Sequence, residues 1–81
     1  MSDDTQKTAQ YYLFDLGSLL KEQARTAKKE SVNKSQSDGF ALGRLMAYHE
    51  VISLMQQQAA AFGLPLEQLN LNDIDPEKDL L

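Results

Sequence analysis

Cysteine is absent from the chain, which removes disulfides, thiolate metal sites and cysteine nucleophiles together and leaves the redox compartment open. No segment approaches the roughly 18 uninterrupted apolar residues of a membrane span. The first ten residues are polar and acidic, without the basic stretch and apolar run of a secretory signal, so a cytoplasmic setting is expected. Histidine occurs once, which leaves little for acid–base catalysis. A formal net charge of −4 argues against a general polyanion binder, because such binding rests on lysines and arginines neutralising phosphates.

What remains is a chain of 81 residues, 42% of them hydrophobic, with room for a single helical domain spanning residues 1–81. A chain this short buries only about 60% of the surface exposed on unfolding. Without covalent staples it depends on its core or on a partner.

Helical periodicity dominates the sequence. Ala9, Leu13, Leu16, Leu20, Gln23 and Ala27 step by four and three, one face of a helix expected over residues 5–29. Tyr12 and Leu19 widen that stripe. Asp3 and Asp4 at its start and Lys28 and Lys29 at its end suit the helix dipole. Gly17 and Ser18 look like its weak spot, since an interior glycine costs about 1 kcal/mol relative to alanine. Residues 30–38 are polar and rich in serine and asparagine, which compete with helical hydrogen bonds, and read as a turn. Ser37 or Asp38 can then cap a second helix over residues 39–62. There Ala41, Leu45, Tyr48, Ile52, Met55, Ala59 and Phe62 alternate steps of four and three, a coiled-coil seam. Phe40, Val51 and Leu54 lie beside it, with Leu42 and Met46 on the other flank. The apolar arc is wider than one neighbouring helix covers. Gly63 suits a left-handed closing residue, with Pro65 two residues on.

The segment 63–81 is acidic yet rich in leucine. One short turn is expected from Pro65 to Leu69 and another at Pro76, with Asp75 as its cap. Residues 66–74 should fold back over the hairpin end and the last few should be mobile.

Several constellations invite a chemical reading and fail it. His49 is followed by Glu50, but adjacent helical residues point about 100° apart, and the second histidine of a zinc-protease helix is missing. Ser53 has no orienting acid for nucleophilic work. Asn72, Asp73, Asp75, Glu77 and Asp79 resemble calcium ligands without the glycine and distal glutamate of an EF-hand loop. The dileucine ending E-K-D-L-L has no membrane span to serve. No catalytic, cofactor or metal site is therefore expected. Gly39, Gly43 and Ala47 form a smooth strip suited to close packing, with Arg44 and His49 on its flanks. Lys21, Arg25, Lys28, Lys29 and Lys34 cluster in sequence, and the first three share one face of the first helix. They should point outward, either as a solvated face or as a patch for RNA, another anion or an acidic protein surface.

The expected fold is thus all-α: an antiparallel two-helix hairpin with a short, partly helical C-terminal segment, paired into a dimeric four-helix bundle, with a monomer whose second helix is sandwiched between the first and the tail as the competing arrangement. The expected role is a non-enzymatic protein-interaction module, adaptor- or regulator-like, acting as a homodimer that also meets another protein. Ala41, Leu45, Tyr48, Ile52, Met55, Phe40, Val51 and Leu54 are its candidate interface. The alternative is a helical homodimer that binds RNA through Lys21, Arg25 and Lys28.

Overall fold

The computed structural model describes residues 3–33 and 39–81. Helix α1 spans Asp3–Asn33, α2 spans Gly39–Ala61, a 3₁₀ turn spans Leu66–Leu69 and a short α3 spans Pro76–Asp79. The fold is all-helical, with no strand among the described residues. Gln23 meets Tyr48 and Glu30 meets Arg44. Residue numbers rise along one helix as they fall along the other, so α1 and α2 form an antiparallel hairpin. Residues 34–38, including Lys34 and the expected caps Ser37 and Asp38, lie outside the described residues.

Helix α1 runs four residues beyond its expected end. The polar side chains there serve the helix instead of competing with it: Ser31 Oγ donates to the Lys28 carbonyl at 2.8 Å and Glu30 pairs with Arg44 of α2 at 2.8 Å. At the far end of α2, Gly63 takes φ 68°. The Leu64 amide donates to Ala59 O and the Gly63 amide to Ala60 O, the pair of bonds that closes a Schellman turn. This reverses the chain and sends residues 64–81 back along the hairpin.

The returning segment supplies almost half the core. Leu69, Leu71, Ile74 and Leu80 pack with Ala24 and Ala27 of α1 and Leu45, Ile52 and Ala59 of α2. Fully burying a Leu or Ile side chain contributes about 1.5–3 kcal/mol, and Ile52, Leu71 and Leu80 are the largest fully buried groups. The end of the chain is thus tied down at Leu80, contrary to the expectation of a loose terminus. Asp75 caps α3, accepting from the Glu77 and Lys78 amides, with Pro76 first in the helix.

The buried stripe of α1 is Gly17, Lys21, Ala24 and Ala27, rotated from the expected one. Leu13, Leu16 and Leu20 are only partly buried, and Ala9 and Gln23 are exposed. The rotation follows from the returning segment, which covers one flank of α1 while α2 covers the next. In α2, Ala41, Leu45, Ile52 and Ala59 are buried as expected. Phe62 leaves the seam at the Schellman turn and is 81% exposed.

Candidate interaction face

The hairpin has one face completed by residues 64–81 and one that is not. On the completed face, Gly17 lets the backbone of the returning segment approach so closely that a Cβ there would lie 1.7 Å from the Leu69 carbonyl oxygen. Next to it, Asn70 sits in the left-handed region at φ 54°. Its side-chain Nδ2 donates to Ser18 Oγ at 2.6 Å, and its side-chain Oδ1 accepts from Lys21 Nζ at 3.1 Å. Gly17 and Ser18, weak in isolation, are where the segment docks.

Lys21 does not point outward. It is 7% exposed, with Nζ on Asp73 Oδ1 at 2.6 Å. That hydrogen bond holds the Asp73 carboxyl below its ordinary value of 3.8, and the charges of Lys21 and Arg25 add to it against a smaller opposing cost of desolvation. Arg25 donates to the Asp73 carbonyl at 3.3 Å and Lys28 Nζ to the main-chain oxygen of Leu81 at 3.0 Å. The basic cluster is therefore the mount for an acidic segment. Asp73 and Asp79 share a cleft with Arg25, Lys28 and Lys29, which dilutes any field that would draw phosphate.

On the α2 side of the same face, Gln56 donates to the carbonyls of Leu71 and Ile74 at 3.1 and 2.8 Å. Nothing in a glutamine triplet marks that role; only the position of Gln56 two residues beyond Leu54, on the opposite side of the helix, hints at it. His49 Nε2 meets Glu77 Oε1 at 3.3 Å, placing the histidine at the α2–α3 contact. Arg44 is taken up by Glu30 and by stacking 5.4 Å from the Tyr48 ring centroid.

The other face is open. Leu19 and Lys21, like Leu54 and Gln56, are two residues apart, and at about 100° per residue they point to nearly opposite sides of their helices. The face away from residues 64–81 therefore carries Leu19, Val51 and Leu54, exposed by 48%, 41% and 59%, with Phe40 at 80%. Two lines with steps of four and three run along it. One is Ala9, Tyr12, Leu16, Leu19, Gln23 and Thr26 on α1; the other is Phe40, Ala47, Val51, Leu54, Gln58 and Ala61 on α2, with Arg44 completing the spacing. These are seams of the kind that pack helix on helix. Of the expected interface residues, Ala41, Leu45 and Ile52 are consumed by the core, Tyr48 and Met55 are half-buried, and Phe40, Val51 and Leu54 remain available. A Cβ added at Gly39 or Gly43 would meet nothing within 4 Å among the described residues, and Ala47 is exposed, so the smooth strip packs against none of them.

At the open end of the hairpin, Leu13, Met55, Ala59, Phe62, Leu64 and Leu69 line an apolar notch of about 230 Å³. That is below the roughly 300–1,000 Å³ of small-molecule sites, and Leu64 and Leu69 of the returning segment form part of its wall. No group of three or more His, Asp or Glu side chains placed to hold a metal occurs among the described residues, and no described helix is long and apolar enough to cross a membrane. Comparison with family models, curated proteins and solved structures found no match.

Proposed function

We propose that the chain is a non-enzymatic helical protein-interaction module, adaptor- or regulator-like, that works as a homodimer with its open face closed by a second copy. The observation that carries this reading is the seam on α2. Apolar groups lie almost all round that helix, the pattern of a helix enclosed by neighbours, yet Phe40, Val51 and Leu54 on the open face are exposed. Two hairpins placed face to face bury both seams in a four-helix bundle, and closed twofold pairing is the commonest way homo-oligomers form. The acidic rim of Glu67, Asp75, Glu77 and Asp79, exposed on the opposite face, stays available in that dimer for a further protein partner. The RNA-binding reading has no observation in its favour, since the chain's own acidic segment engages Lys21 and Arg25.

Light scattering at micromolar concentration tests the dimer and should give about twice the chain mass of 9.1 kDa. Leu54→Glu should return it to the mass of one chain with helicity intact, because Leu54 is 59% exposed in the single chain. A monomer that melts cooperatively would overturn the reading.

A further inference from the structure

We draw no further inference here: the strongest candidate, the apolar notch of Leu13, Met55, Phe62, Leu64 and Leu69 at the open end of the hairpin, carries none because nothing in the structure shows what covers it.

Discussion

The two faces of the hairpin differ in how each is completed. One is closed by the chain's own residues 64–81, through a bare glycine, a buried ammonium group and a glutamine that holds two carbonyls. The other carries seams of equal regularity and no cover among the described residues. The difference shows that helical periodicity identifies surfaces that need a neighbour without saying whether that neighbour comes from the same chain. On the closed face the contacts are specific and polar at their rim; on the open face the exposed positions are regularly spaced and uncharged apart from Arg44, which is paired with Glu30, and that suits a second helix.

The strongest way to probe the closed face is at its centre. Ile52 is fully buried among residues of both helices and the returning segment, so Ile52→Ala should cost about 2–5 kcal/mol in denaturant unfolding. A loss within about 0.5 kcal/mol, the range of uninvolved surface positions, would mean that this core is wrongly placed.

Glycine gives the next contrast. Gly17→Ala gains about 1 kcal/mol of helix propensity but drives a methyl into the Leu69 carbonyl, which is backbone and cannot rotate aside. A net loss of about 1–3 kcal/mol is expected. A Cβ at Gly43 on the open side would meet nothing within 4 Å among the described residues, so Gly43→Ala should stabilise the single chain by up to about 1 kcal/mol. Thermal melts of the two variants should move in opposite directions. If both rise, the returning segment does not dock at Gly17.

Gln56 sharpens the same comparison from α2. Gln56→Ala strands the carbonyls of Leu71 and Ile74 without that donor, and a loss of about 1–2 kcal/mol should follow. Amide exchange should accelerate first in residues 66–80. Exchange that accelerates evenly over the whole chain would show instead that this segment does not open as a unit.

The hairpin was legible in the sequence because four-three spacing repeats over many turns, and both ends of α2 followed from glycine chemistry at Gly63 and the composition before Gly39. Asp75 and Pro76 declared the short α3 for the same local reason. The docking site was not legible. Gly17 reads as a defect when only its own helix is considered, and its value appears once Leu69 is brought beside it from 52 positions away. Lys21 likewise belongs by spacing to a basic face, and only the partner Asp73 turns that face inward. The buried stripe of α1 was misplaced for the same reason: periodicity weights apolar groups and gives no weight to a glycine or a lysine stem.

The smallest expected effect lies at the rim of the closed face. Asp73 is held below its ordinary value of 3.8 chiefly by the hydrogen bond from Lys21. A carboxyl whose folded value is depressed adds stability above its unfolded value and loses that stability as the pH falls through the folded one. The Lys21–Asp73 pair should therefore stabilise the fold at neutral pH and cease to do so in acid, at and below the ordinary value. Asp73→Asn keeps an oxygen that can accept from Lys21 Nζ and removes the charge. Because the Asp73 side chain is 54% exposed, solvent screens the pair, and the variant should lose only about 1 kcal/mol or less at neutral pH. Unfolding free energies of the two proteins, followed from neutral pH to about pH 2, should converge as Asp73 takes up its proton. A gap that stays constant across that range would show that the Asp73 charge does not fasten the returning segment to α1.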